Sequence, residues 1–150
     1  MTRKTGIIKD KRYLRHGSGF SHPETPQRLS PIYEMLDNPQ QSWKFVEIEP
    51  RTATDEELAL NHCPAYIRRL QATAGQKFVS LDPDTVATEE SYEVARLAVG
   101  GLLRAIDAVM TGEVDNAFAL VRPPGHHAGA REAAGFCLFN NVAVGALYAT

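Results

Sequence analysis

The longest helical pattern in the chain limits what it can fold into. Between residues 88 and 110, apolar side chains recur at intervals of three and four, and Gly112 follows as a stop signal. The recurring positions are Val94, Leu97, Ala98, Leu102, Ala105, Ile106 and Val109. The apolar run 117–121 comes next and is typical of a strand buried on both faces of a parallel sheet. A long helix leading into such a strand predicts an α/β fold.

Shorter elements are predicted before this unit. Residues 4–8 and 44–48 have strand patterns, and the prolines of the loop 22–26 restrict its backbone. Three helices are also predicted. The first has Ser30 as its N-cap and Pro31 in its first turn, and the second begins at the capping-box spacing of Thr54 and Glu57. The third runs from Pro64 to residue 74, before Gly75.

The chain shows no repeat and no Gly/Ser linker, so we expect one continuous structural unit. Its last helical pattern, residues 140–149, has no C-terminal cap and no following strand. Because a helix in an α/β fold crosses over to a further strand, this pattern indicates that a following segment is missing.

Composition excludes several classes of protein. With 43% hydrophobic and 23% charged residues, the sequence is typical of a globular domain rather than a disordered or collagen-like chain. A net charge of −2 disfavours direct binding to nucleic acid. No apolar run has the length of a signal peptide or membrane span, so we predict a cytoplasmic protein with no membrane partner. Cys63 and Cys137 lack the spacing of a zinc finger, and they suggest no disulfide framework.

The segment that suggests chemistry is Arg-Pro-Pro-Gly-His-His-Ala, residues 122–128, which follows the predicted buried strand. Ligand crevices of α/β sheets lie at that edge. Adjacent side chains of a helix or strand point apart, so His126 and His127 can share a pocket only in an irregular loop, which the prolines and Gly125 favour. One imidazole of such a pair can stay charged while the other transfers a proton, as amide hydrolysis requires.

Four segments resemble the histone deacetylase family, in its class II, bacterial amidohydrolase and acetylpolyamine amidohydrolase branch. They occur in family order and are residues 22–28, 81–85, 122–128 and 135–143 (His-Pro-Glu-Thr-Pro-Gln-Arg, Leu-Asp-Pro-Asp-Thr, the histidine segment, and Gly-Phe-Cys-Leu-Phe-Asn-Asn-Val-Ala). The resemblance implies an arginase/deacetylase-like three-layer fold with a mostly parallel sheet. Residues 1–150 would then be the N-terminal portion of a single deacetylase domain.

The resemblance also assigns catalytic and substrate-binding roles. His127 matches the general base that activates water and returns the proton to the amine, and His126 matches its electrostatic partner. Phe136 matches the aromatic wall of the substrate tunnel, and Gly135 matches a backbone acceptor for the substrate amide. Asp82 matches a carboxylate at the rim, whose alternative reading is a turn residue.

The resemblance also points to residues at the rim and along an internal channel. Asp84 is the nearby alternative to Asp82 at the rim. Arg28 and Cys137 match residues that line an internal channel for acetate, although a surface arginine and a packed cysteine remain open alternatives. His16, His22 and His62 are left out of the predicted site, because loop histidines are more often solvated than functional and His62 has no partner at ligand spacing.

The family uses Zn²⁺, held by an Asp-x-His pair and a second Asp, together with a transition-state-stabilising Tyr or His. No Asp-x-His occurs in these 150 residues. Catalytic zinc needs three convergent protein ligands, and Asp115 and Asn116 cannot replace them. We therefore predict no metal ligand in this chain, expect the ligands beyond residue 150, and expect the chain as given to be inactive.

Three functions remain open at this point. The first is a zinc-dependent amidohydrolase that removes acetyl groups from acetyl-lysine or acetylated polyamine-like amines. The second is a non-catalytic binding or assembly module derived from the deacetylase fold, and the third is another metallohydrolase of the arginase-like fold. A reading frame that continues into Asp-x-His would favour the first function. The physiological substrate and the oligomeric state do not follow from the sequence.

Overall fold

The structure, a computed structural model, describes residues 3–18, 21–41 and 44–150. The strands of the described residues are β1 (Thr5–Ile8), β2 (Val46–Ile48), β3 (Val79–Asp82), β4 (Thr85–Ala87) and β5 (Asn116–Ala119). The α-helices are α1 (Ser30–Asp37), α2 (Asp55–Leu58), α3 (Pro64–Gln71), α4 (Ser91–Met110) and α5 (Asn141–Tyr148), and 3₁₀-helices span Lys11–Arg15 and Pro26–Arg28.

The main sheet has the strand order β2-β1-β5, and both of its pairings are parallel. Gly6 of β1 lies opposite Val46 on one side and Ala117 on the other. The long helix α4 packs against β1 and β5. Parallel strands joined by helical connections make this an α/β fold, so the predicted fold class is confirmed.

Helix α4 contributes to both apolar clusters of the core. Its residues Ala95, Val99 and Leu103 pack in the cluster that also contains α3 and Phe139. Its residues Val94, Leu97, Ala98, Ala105 and Ala108 pack in the cluster around β1 and Tyr13. Most of the predicted periodic positions thus lie in the cluster around β1, although Val109 is 37% exposed. The helix is buried more extensively than the pattern predicted, because residues between those positions pack against a second layer.

The strand after α4 differs from its prediction. It covers Asn116–Ala119 rather than residues 117–121, and the side chain of Phe118 is 61% exposed. Among the described residues, β5 pairs only with β1 and therefore lies at an edge of the sheet. The prediction of a parallel strand is confirmed, but the prediction that both of its faces are buried is wrong for the described residues.

The other elements predicted from local signals are present, but some of their ends differ from the prediction. The capping box of Thr54 and Glu57 is present at the start of α2. Ser30 is the first residue of α1 and not its N-cap, because the preceding 3₁₀-helix runs directly into α1 and Leu29 takes the cap position. Helix α3 ends at Gln71, earlier than predicted, and β2 begins only at Val46.

The hairpin of β3 and β4 was not predicted from the sequence. The segment 81–85, which resembles a loop of the family, forms the end of β3, a turn at Pro83 and Asp84, and the start of β4. The strands are short and the register shifts between Ser80 and Asp82, so no alternating pattern marks them. None of the helices formed by the described residues has the length and apolar character to cross a membrane.

Candidate active site

The two adjacent histidines lie in an irregular loop at the carboxyl edge of the parallel sheet. Their ring centroids are 4.2 Å apart, with an angle of 48° between the ring planes, and both side chains are exposed. Both line a cavity of about 480 Å³, to which the loop 22–28, the hairpin turn at Asp84 and the glycine-aromatic pair of Gly135 and Phe136 also contribute. The two rings therefore share one pocket.

The first residues of α5 and its N-cap, Asn140, hold the histidine segment in place. The Val142 N–H donates to the Gly125 carbonyl at 3.0 Å, and any Cβ at Gly125 would overlap the side chain of Asn141. The Asn140 side chain donates to the Ala128 carbonyl at 2.9 Å and accepts the N–H of Ala143 as a helix cap. The backbone on both sides of the histidine pair is therefore tied to one helix terminus.

His62, which the sequence analysis left out, supports this arrangement. Its ring is buried and its Nε2 accepts the backbone N–H of Asn140 at 2.9 Å. Burial lowers the pKa of His62, so the neutral ring is favoured. A histidine next to Cys63 and Pro64 carries no sequence signal for this role, because its partner lies 78 positions away.

Gly135 and Phe136 place an aromatic ring against the histidine loop. Both have a positive φ, of 54° and 70°, and a Cβ at Gly135 would lie 2.7 Å from ring atoms of His127. The Phe136 N–H donates to Oγ1 of the buried Thr85 at 3.0 Å. A non-glycine residue in the left-handed region is costly, and such strain concentrates at functional sites.

His22 is the second residue of the site that the sequence analysis missed. Its ring meets Phe136 edge-on, with centroids 4.7 Å apart. Nδ1 accepts the N–H of Glu24 at 3.1 Å, and Nε2 lies 3.1 Å from the carbonyl of Asp84, to which it donates. His22 therefore joins the N-terminal loop, the hairpin turn and the aromatic wall of the cavity.

The structure separates the two candidate carboxylates at the rim. Asp84 lines the cavity, whereas Asp82 does not and instead accepts the N–H of Asp84 at 3.3 Å. Arg28 also lines the cavity, with its Nη1 3.4 Å from Oε1 of Glu24. The geometry thus favours Asp84, the alternative to Asp82.

Cys137 lies buried beside the histidine pair and does not line the cavity. Its Sγ accepts the His126 N–H at 3.5 Å and donates to the Gly135 carbonyl at 3.3 Å. The thiol therefore lies next to the histidine pair. The thiol faces the backbone of the two loops.

Arg122, at the start of the histidine segment, is fully buried under the cavity. Its guanidinium donates to the carbonyls of Tyr13 at 3.1 Å and His16 at 3.0 Å, and it forms an ion pair with Glu24. Burial lowers the pKa of His16 to about 4, and the nearby carboxylate of Glu24 only partly opposes this. Neither Glu24 nor His16 was singled out by the sequence, because both act through partners far along the chain.

The described residues do not fit a zinc site. No three His, Cys, Asp or Glu side chains among residues 3–18, 21–41 and 44–150 converge in a way that could hold a metal ion. Catalytic zinc takes three protein ligands. No chemical step is therefore derived through zinc from this geometry.

Comparisons with known proteins identify the family of this chain. A profile of the histone deacetylase domain matches residues 22–150. The polyamine deacetylase HDAC10 of Danio rerio is 36% identical over 159 aligned positions, in a match that covers 99% of this chain and 24% of that protein. A probable deacetylase of Archaeoglobus fulgidus is 38% identical over 142 aligned positions, in a match that covers 93% of this chain and 39% of that protein.

A solved structure shows the same likeness in three dimensions. The HDA15 HD domain matches with a TM-score of 0.91 and 40% sequence identity, over 97% of this chain and 43% of that chain. The chain has the α/β arginase/deacetylase-like fold. It belongs to the histone deacetylase family. It spans between a quarter and a little over two fifths of the length of these relatives.

Proposed function

We propose that the protein is an amidohydrolase that removes acetyl groups from acetyl-lysine or from acetylated polyamine-like amines. The observation that carries the proposal is the pair of exposed imidazoles of His126 and His127, 4.2 Å apart, facing the same cavity as the Phe136 ring. The names of its relatives, a polyamine deacetylase and a probable deacetylase, support this substrate class.

The reaction adds water to the acetyl carbonyl carbon and breaks the C–N bond, giving acetate and the free amine. His127 takes a proton from the attacking water through a ring nitrogen and returns it to the leaving nitrogen, so no net proton remains on the ring. His126 is the electrostatic partner, whose charge acts on the neighbouring ring of His127.

The other cavity residues are proposed to bind the substrate. The methylene chain of the acetylated amine would lie against Phe136, and the Gly135 carbonyl would accept the substrate amide N–H. A carboxylate at the rim, Asp82 by resemblance or Asp84 by position, would bind the substrate backbone or a second amine. Arg28 and Cys137 are proposed to line the route of acetate.

Zinc dependence is part of the proposal and rests on the family resemblance alone. We propose that the three ligands and the stabilising Tyr or His come from sequence outside these 150 residues, which would form the N-terminal portion of a single deacetylase domain. We also propose a cytoplasmic location, which rests on the sequence alone.

The test is kinetic and uses the complete protein with an acetyl-lysine peptide and an acetylated diamine as alternative substrates. His127→Ala should lower kcat by about 10² to 10⁴-fold with little change in KM, because a general base acts on the transition state. His126→Ala should be slow and should also shift the pH-rate profile. Zinc content and thermal unfolding of each variant control for loss of metal or fold.

Two results would contradict the proposal. Near-native turnover of His127→Ala at full zinc occupancy would remove that residue from the role of base. Failure of the unaltered, zinc-loaded protein to hydrolyse either substrate would favour the alternative of a binding or assembly module.

A further inference from the structure

A second cavity, of about 620 Å³, lies beside α3 and shares no lining residue with the histidine cavity. Three arginines line it, namely Arg68 and Arg69 of α3 and Arg131 of the loop that follows the histidine segment. The remaining lining residues are Cys63, Pro64, Ala65 and Tyr66. The nearby acidic residue Glu132 does not line it.

The three guanidinium groups have no acidic partners. No Asp or Glu carboxylate of the described residues lies within 4.0 Å of Arg68, Arg69 or Arg131, although most of the other arginines described form ion pairs. All three side chains are exposed. A protein of net charge −2 thus concentrates three unpaired cations around one concave surface.

Helix geometry explains why the arginines meet there. Arg68 and Arg69 come three and four residues after Ala65, so their side chains share a face with that small residue. Side chains of an α-helix lean toward its N-terminus, which carries these two guanidinium groups back over Pro64 and Ala65. Arg68 and Arg69 lie in the last turn of α3, where their charge also favours the carbonyls at the end of the helix. That role involves neither Arg131 nor the concave surface that the three arginines share.

Arg131 reaches the same place from a different element. The carbonyl of its neighbour Ala130 accepts the N–H of Cys63 at 3.0 Å, so the loop packs on the first turn of α3. The hydroxyl of the buried Tyr66 donates to the Leu138 carbonyl at 2.6 Å and holds the floor of the cavity to the segment after the loop.

We propose that this cavity binds the phosphate group of a small phosphorylated molecule. Guanidinium groups match phosphate oxygens with paired hydrogen bonds, and three of them balance the charge of a phosphate dianion better than that of a single carboxylate. The volume lies within the range of small-molecule sites and exceeds what a bare ion needs. The site goes beyond the proposed deacetylase function and is independent of it.

The probe is inorganic pyrophosphate, titrated calorimetrically into the complete protein at low and at high salt. Arg68→Gln, Arg69→Gln and Arg131→Gln should each weaken binding by about fivefold to tenfold, since each removes a charge-assisted contact that solvent partly screens. The matched control is Arg104→Gln, which removes the same charge from an arginine paired with Glu113 on the surface of α4. It should change binding less than about twofold.

Lysine replacements keep the experiment decisive if a glutamine variant misfolds. Arg→Lys at the same three positions keeps the charge and loses the paired geometry, so binding should weaken less than in the glutamine variants. No detectable pyrophosphate binding, or equal weakening by Arg104→Gln, would overturn the proposal. Glutarate binding as tightly as pyrophosphate at equal ionic strength would overturn the assignment to phosphate. None of these measurements uses an acetylated substrate, so they are unaffected if the deacetylase proposal fails.

Discussion

Arg122 and Glu24 form a two-point ion pair in the interior, with Nε 2.5 Å from Oε1 and Nη2 2.7 Å from Oε2. Both side chains are 1% exposed. The remaining guanidinium N–H groups reach backbone carbonyls of the N-terminal segment. This pair joins the start of the histidine segment to the loop that forms the opposite wall of the cavity.

Breaking the pair should destabilise the protein strongly. Arg122→Gln and Glu24→Gln should each lower the free energy of unfolding by about 3 to 5 kcal/mol, because each leaves a buried charge without its partner. The double variant should lose less than the sum of the two, since neither charge then remains buried. Denaturant unfolding of the three variants measures this coupling, and strict additivity would show that the pair does not act as a unit.

The stability of the protein should fall at mildly acidic pH because of His16. Its folded pKa of about 4 lies below the unfolded value near 6.5, mainly because of burial. Between these two values the unfolded chain binds more protons than the folded one, so stability is lost as the pH falls through this window. The loss from His16 should be about 2 kcal/mol between about pH 7 and about pH 5.

His16→Asn provides the comparison for this pH effect. The asparagine amide can still bond the Ser91 hydroxyl, which lies 2.8 Å from Nδ1 of His16, but does not titrate. Its unfolding free energy should therefore change less with pH than that of the unaltered protein. A part of the slope should remain, since burial also lowers the pKa of His62. An NMR titration of His16 that gives an ordinary pKa would contradict the prediction.

Gly135→Ala should impair turnover by moving His127. The new Cβ would lie within 2.7 to 2.8 Å of the Cβ, Cγ and Cδ2 atoms of His127, at a backbone φ of 54°. A displacement of about 1 Å at a catalytic group can cost about 10²-fold in rate, so we expect a loss of that order in kcat. Steady-state kinetics of the complete protein measure it.

Gly112→Ala is the matched control for this substitution. Gly112 also has a positive φ, of 74°, but no atom lies within 4 Å of the position where its Cβ would be. The control should lose about 1 kcal/mol of stability from the unfavourable backbone conformation and keep its turnover. Equal loss of turnover in both variants would attribute the effect to backbone strain and not to contact with His127.

Phe136→Ala should weaken substrate capture without removing metal. The ring stands edge-on to His22 and lines the cavity, so its loss removes apolar contact with the substrate chain and should raise KM by about tenfold or more. Phe78→Ala, at an exposed phenyl group outside the cavity, serves as the control and should leave KM unchanged. Loss of zinc in Phe136→Ala would show that the ring supports the fold or the metal site instead.

The sequence by itself determined the elements whose causes are local. The periodic apolar positions of α4, the capping box of α2 and the cap of α5 by Asn140 each depend on residues a few positions apart. The irregular loop of His126 and His127 follows in the same way from the prolines and glycine before it. The resemblance between motifs then indicated the family, which the comparisons confirmed.

The tertiary structure decided which residues surround the histidine pair. Glu24 and Arg122 are 98 positions apart, and His22 meets Phe136 across the cavity, so nothing in either local sequence marks these contacts. The same holds for the exposed face of β5, since its apolar run fits a buried strand and its burial depends on what packs against it. Local patterns specify backbone conformation, whereas the neighbours of a side chain depend on the crossing of elements that are distant in the chain.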